Sequence, residues 1–273
     1  MTVNGSRVGD FLRIWRQRRH LSQLDLACDA NISARHLSFI ETGRAQPSRE
    51  MLLRLAEQLE MPLRERNALL LSAGFAPMFK ERGLQDPEFA AARKAVELVL
   101  ARHEPFPALA VDRRWHLVAA NKAVAALLEG VAAELLQPPV NVLRLSLHPL
   151  GLAPRIANLR EWRTHILARL RHQIDVSADP DLQILYDELE GYPVPDPTSD
   201  VSPSFQDDVG VAIAFRLITP AGLLSFLSTT TVFGTPTDIT LAELAIEAFF
   251  PADAHTADVV QALSSAAKTS SPV

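Results

Sequence analysis

At 273 residues the chain is long enough for two domains with separate cores, and 48% hydrophobic with 22% charged residues is a globular composition, excluding a disordered or fibrous protein. One cysteine, Cys28, excludes an internal disulfide, and no stretch approaches the roughly 18 apolar residues that a bilayer span needs. The net charge of −5 argues against a nucleic-acid binder until its placement is read: residues 1–82 carry 13 Lys and Arg against 9 Asp and Glu, and residues 83–273 carry 14 against 23.

Residues 21–43 read as two short helices joined by one tight turn. Ser22 is an N-cap, Asp25 sits where a reciprocal capping acid sits, and Leu21 with Leu26 occupy the staple positions. Cys28, next to small Ala27 inside the helix, reads as a buried packing residue. Asn31 tolerates a left-handed turn and Ser33 caps the next helix. There Ile32, Leu37 and Ile40 form an apolar stripe, leaving Ala34, Arg35, His36, Ser38 and Phe39 on the other faces. A face that mixes Arg, His and Ser suits base edges, so the pair reads as a DNA-binding helix-turn-helix. Capped amphipathic helix pairs without a DNA role are common; against that bland reading stand Gln23, Ala27, Asn31, Ile32, Leu37 and Ile40 taken jointly. A fourth helix follows from Ser48 to Leu59, and Pro62 opens a fifth carrying Leu63, Leu69, Leu70 and Leu71 before Gly74 and Pro77 stop it.

With the string Glu41 to Ser48 and the positions Leu52, Leu55, Ala56 and Leu59, residues 8–76 resemble the Xre, or phage-repressor, helix-turn-helix family. Two departures are Asn31 and His20, where the family carries Gly. The resemblance implies that the Gln23 amide holds a phosphate and that Arg35 enters the major groove with Ser33, Ala34, His36, Ser38 and Phe39. It implies that Arg44 reaches the flanking backbone and that Arg16 and Glu41 form an internal ion pair. Otherwise Arg16 is one more solvated arginine in the cluster with Arg13, Arg18 and Arg19.

Residues 78–104 read as a linker and a connecting helix, about Pro87 to His103, with Ala91, Ala95, Leu98 and Val99 as its packing positions. From Phe106 to Asn121, two short β runs flank a polar turn at Asp112 to Arg114, and Asn121 starts a helix through Leu128. PAS-type sensor domains begin in this order. A long helix from Pro154 to Ile174 and a polar, Pro-rich loop from Tyr192 to Pro203 follow. The end of the chain supplies three strands: Val209, Val211, Ile213, Phe215 and Leu217 alternate, Leu223 to Phe233 is a second run, and Leu244, Ile246, Ala248 and Phe250 alternate against Glu243 and Glu247.

Nearly all of the chain resembles the MmyB-like transcription regulators. The likeness rests on Pro107-Ala108, Val111 to Trp115, Asn121, Leu147-His148-Pro149 with Gly151, Gly234-Thr235-Pro236 with Asp238, and Glu243-Leu244 with Phe250 to Asp253. The expected fold is a five-helix, all-α, lambda-repressor-like helix-turn-helix domain over residues 1–77, the linker over 78–104, and an α+β PAS-like domain with a five-stranded antiparallel sheet over 105–273.

A PAS-like sheet walled by Val, Ile, Leu, Phe and Ala suits a small apolar, fatty-acid-like ligand. Trp115, Leu117, Trp162, Ile166, Leu217 and Phe226 are the candidate wall, with Asn121 and His148 as polar candidates. The same residues also serve as plain core, in which case the domain only dimerises or binds a protein partner, and His148 fits a structural role better than a ligand contact. His165 and His172, seven apart, lack further ligands for a metal. Arg160, Arg163, Arg169 and Arg171 read as a solvated face, one of them able to pair with an acidic headgroup. There is no phosphate loop, G-x-S-x-G elbow or H-E-x-x-H, and the adjacent acids Glu188 with Glu190 and Asp207 with Asp208 read as solvated. The expectation is a cytoplasmic one-component regulator without cofactor or enzyme activity, a homodimer on an inverted-repeat DNA operator, with no membrane partner.

Overall fold

Residues 8–83, 86–194 and 213–269 are described by a computed structural model of the chain, which divides into two units. The strand positions Val209 and Val211 and the acids Asp207 and Asp208 lie outside the described residues.

The first unit contains five consecutive helices: α1 (Val8–Arg18), α2 (Gln23–Asp29), α3 (Ala34–Glu41), α4 (Arg49–Gln58) and α5 (Leu63–Ser72). Three serines set helix starts. The Ser22 hydroxyl accepts from the Asp25 N–H while Asp25 accepts from the Ser22 N–H, a complete capping box, and Ser33 and Ser48 accept from His36 N and Met51 N. Asn31 has φ 54° and His20 φ 55°, so both positions where the family carries Gly take the left-handed backbone that makes glycine the natural occupant. Phe11, Leu12, Trp15, Leu26, Leu37, Ile40, Leu52, Leu55, Leu69 and Leu70 fill the core. A Cβ built on Gly9 lies 2.4 Å from the Glu41 carbonyl oxygen, so α1 and α3 approach as closely as they do only because Gly9 has no side chain. One sequence expectation is corrected: Cys28 is exposed rather than buried, because it falls on the face of α2 away from that core.

Residues Asp175–Ala178 and Thr235–Ala242 also belong to this unit, although the sequence reading placed them in the second domain. Ile239 N donates to Lys80 O (2.9 Å), Thr240 Oγ1 donates to Arg82 O (2.6 Å), and Arg82 Nη1 donates to Asp238 Oδ2 at 2.7 Å.

The second unit begins with a single 3-10 turn, Pro87–Phe89, and α6 (Ala90–His103). Then come β1 (Ala108–Val111), β2 (Leu117–Ala120), α7 (Lys122–Leu127), α8 (Val142–Leu147), α9 (Leu159–Ser177), α10 (Pro180–Glu190), β3 (Phe215–Thr219) and β4 (Gly222–Val232). After α11 (Ile239–Ala242), which is part of the first unit, β5 (Ala245–Pro251) and α12 (Ala254–Thr269) complete the chain. The five strands form one antiparallel sheet, as expected, and their order is β2-β1-β5-β4-β3, with Ala110 opposite Ile246, Thr230 opposite Glu247 and Phe215 opposite Phe226.

Helices cover both faces of this sheet, which decides where each residue of β5 points. Val96 and Leu100 of α6 pack with Ala108, Ala110, Leu244 and Ile246 on one face. Trp115, Leu143, Leu147, Trp162, Ile166, Leu170 and Leu185 pack with Phe215, Leu217 and Phe226 on the other. The α6 face expected from Ala91, Ala95, Leu98 and Val99 is therefore corrected, since Leu98 and Val99 are 56% and 43% exposed and the buried row runs through Val96 and Leu100. The alternation in β5 is corrected too. Glu247, expected to face solvent, is 5% exposed, because the row opposite Leu244 and Ile246 also faces packed side chains.

Candidate functional site

Helix α3 is fixed from behind by a polar cluster. Arg16 grips Glu41 with two parallel hydrogen bonds, Nε to Oε1 at 2.7 Å and Nη2 to Oε2 at 2.9 Å, and its Nη1 donates to Leu21 O at 2.9 Å. The two side chains are 11% and 2% exposed. The hydrogen bond to Glu41 raises the Arg16 pKa above its ordinary value against the opposing effect of burial. Gln23, expected to hold a phosphate, donates its Nε2–H to Glu41 Oε2 at 2.7 Å, so that amide proton is engaged inside the protein.

The outward side of α3 carries Arg35, which is exposed, with Ala34, His36, Ser38 and Phe39 half-buried and the Ser33 hydroxyl taken up by its capping bond. Arg35 and Arg44 both stand over the Phe39 ring, their guanidinium carbons 5.4 and 6.0 Å from its centre. Such stacking restrains two long, exposed side chains whose N–H forks are of the kind that guanine edges and phosphates accept. The structure thus gathers Arg35, Phe39 and Arg44 into one surface and leaves Gln23 in the polar cluster behind it.

The second unit holds a cavity on the sheet face that α8 and α9 cover. It offers about 90 Å³ to the centre of a water-sized sphere, several times the roughly 10–15 Å³ that one water needs. Pro107, Leu109, Leu117, Phe215 and Phe249 line it from the sheet and its entry, and Trp115 from the hairpin. Val124 and Leu127 line it from α7 and Leu128 from just beyond it, Val142, Leu143, Leu145 and Ser146 from α8, and Trp162, Ile166 and Arg169 from α9. Leu152, Ser228 and Glu247 complete the wall.

Trp115 is held in a left-handed backbone, φ 66°, unusual for so bulky a side chain. Its neighbours impose that shape: Asp112 Oδ1 accepts from the N–H groups of Arg114 and His116, Asn141 Nδ2 donates to Arg114 O, and Gln173 Nε2 donates to Arg113 O. The Trp115 Nε1–H donates to Gln173 Oε1 at 2.8 Å, and the Arg169 guanidinium lies over the indole at 4.6 Å.

Four of the eight sequence candidates meet at this cavity: Trp115, Leu117, Trp162 and Ile166. The other four do not. Leu217 and Phe226 are fully buried in the core beside it. Asn121 is consumed by the backbone, its Oδ1 accepting from Ala108 N and its Nδ2 donating to Leu100 O and Phe106 O. His148 accepts the Leu150 N–H at Nδ1 and packs edge-on against Tyr192, 5.0 Å between ring centres.

Sequence reasoning missed Arg169 and Glu247. Arg169 was placed on a solvated face, whereas its Nη1 donates to Glu247 Oε2 (3.0 Å) and its Nη2 to Glu247 Oε1 (2.5 Å) and Thr230 Oγ1 (2.6 Å). Of the other three arginines, Arg160 is exposed, Arg163 donates to Glu190 O and Arg171 stacks on Tyr186. A signal for Glu247 existed in β5, where one acid stands between Ile246 and Ala248 with Phe249 beyond. Glu188, read as solvated, accepts two hydrogen bonds from Arg144 and one from the Tyr192 hydroxyl, and Arg144 holds its carboxyl below the usual range. Burial and the Glu188 carboxylate push the Tyr192 phenol up. His165, beside Trp162, is pushed down by burial and by Arg169.

Among the described residues no three His, Cys, Asp or Glu side chains come together as a metal site, and no helix is long and apolar enough to cross a membrane. A family model described as the MmyB-like transcription regulator ligand binding domain matches residues 92–263, and one described as a helix-turn-helix domain matches residues 7–69. A search of curated proteins finds no match.

Proposed function

Since the chain belongs to the MmyB-like transcription regulators, we propose that it is a one-component, sequence-specific regulator whose DNA affinity is set by a small apolar, fatty-acid-like effector held in the cavity. The observation that carries this reading is the pairing, in one chain, of an outward Arg35–Phe39–Arg44 surface with a hollow walled almost wholly by apolar side chains. A homodimer places two copies of α3 in successive major grooves of an inverted-repeat operator, about 34 Å apart. Arg35 reads base edges, Ser33, Ala34, His36 and Ser38 complete the groove-facing surface, and Arg44 positions the flanking backbone. Gln23 serves by fixing Glu41, and through it α3, and keeps its remaining amide atoms for the phosphate. The effector biases one arrangement of the dimer, with a coupling of about 1–3 kcal/mol. The work is done in the cytoplasm, where the operator is, and involves no catalytic step.

The test is a mobility shift on the protein's own promoter. Arg35→Ala is expected to weaken specific binding by about 1–3 kcal/mol while leaving the fold intact. Specific binding undiminished in a folded Arg35→Ala protein overturns the assignment of α3 as the reading helix.

A further inference from the structure

Among the described residues lining the cavity, Arg169 and Glu247 alone are charged, and they neutralise each other. The end of the Arg169 guanidinium, Nη1 with Nη2, is closed on the two oxygens of Glu247. The remaining Nη2 proton goes to Thr230 Oγ1, whose own hydroxyl donates to Glu247 Oε1 at 3.0 Å. Neither edge of the guanidinium therefore presents a complete fork to a further carboxylate.

We propose that the cavity selects an effector that is uncharged as well as apolar, a hydrocarbon chain ending in a hydroxyl, ester or amide instead of a carboxylate. The inference rests on the reading of the cavity as the effector site and narrows its fatty-acid-like effector to the neutral members of that class. An incoming carboxylate has to take Arg169 from Glu247, which strands an acid 5% exposed, or else sit beside Glu247 without a counter-charge. Two hydroxyls are placed for a neutral head. Ser146 Oγ accepts the Trp162 Nε1–H at 2.9 Å and keeps its own proton, and Ser228 is a residue of the wall. Among the described residues neither hydroxyl donates to a protein acceptor, so each is available to a carbonyl or hydroxyl oxygen of the ligand.

The experiment uses the full chain, stripped of lipid, with decan-1-ol, methyl decanoate and decanoate as probes, and reads binding from the fluorescence of Trp115 and Trp162. At about pH 8, where the acid is fully ionised, the alcohol and the ester are expected to bind about tenfold or more tightly than decanoate. Glu247→Gln keeps the side chain's shape and frees the Arg169 charge, so decanoate is expected to gain about tenfold while the alcohol changes by less than about threefold. Decanoate binding to the native protein as tightly as the alcohol overturns this inference and leaves the effector site standing. So does a folded Glu247→Gln protein that gains nothing for decanoate. Should Glu247→Gln fail to fold, the comparison on the native protein decides alone. If none of the three probes binds, the effector-site reading falls and this inference with it.

Discussion

Arg16→Ala is the sharpest test of how α3 is held. The substitution leaves the Glu41 carboxylate, 2% exposed, with only the Gln23 amide as partner among the described residues, and removes the donor to Leu21 O. Breaking a buried ion pair by deleting one member costs about 3–5 kcal/mol. The surviving Gln23 bond places this case near the lower end, about 3 kcal/mol. Against a domain stability of about 5–15 kcal/mol, that loss leaves the unit folded but far easier to open. Amide hydrogen exchange at α1 and α3 in the full chain reads the loss without interference from the second unit. A second protein, Arg16→Met with Glu41→Leu, is expected to recover most of it, because the cost lies in the stranded charge and not in the missing attraction. The ratio of specific to non-specific DNA binding is expected to stay the same in both. A loss under about 1 kcal/mol for Arg16→Ala, the size found for exposed pairs, or a double variant less stable than the single one, refutes the reasoning.

Gly9→Ala is expected to cost about 1–3 kcal/mol by overpacking, since the new Cβ meets the Glu41 backbone at 2.4 Å and α1 must move off α3; an unchanged urea midpoint disproves the close approach. For His165 the folded state binds protons less readily than the unfolded chain, because burial and Arg169 lower its pKa from the ordinary 6.5 against a smaller raising effect of Glu247. The second unit is therefore expected to lose stability as pH falls from about 6.5, and His165→Gln is expected to flatten that limb of the stability profile. A titration of this imidazole by nuclear magnetic resonance with a midpoint above 6.5 contradicts it.

The helix starts were legible because their chemistry is local. A serine three residues before the N–H it caps, or an asparagine in a one-residue left-handed turn, needs nothing from the rest of the chain. The number of strands and their antiparallel sense were legible from alternation and turns, and four of the large apolar residues expected to face inward, Trp115, Leu117, Trp162 and Ile166, do line the cavity. What escaped was long-range. Arg169 meets Glu247 78 residues away, and no spacing rule announces that an arginine on a helix rich in arginines leaves solvent for a strand. Asn121 looked like a cap and is instead a clamp on three backbone groups, a role set by how α6 enters β1. Cys28 was misjudged because smallness was taken for burial.

The ion pair between Arg82 and Asp238 joins positions 156 apart in the chain. A fragment ending at Arg82 would carry all five consecutive helices yet lack that pair, along with the Ile239–Lys80 backbone bond and the bond from the Thr240 hydroxyl to Arg82 O. Melting curves or operator titrations on such a truncation would describe a damaged object, unless the stretch Thr235–Ala242 were supplied in trans or grafted back on a loop.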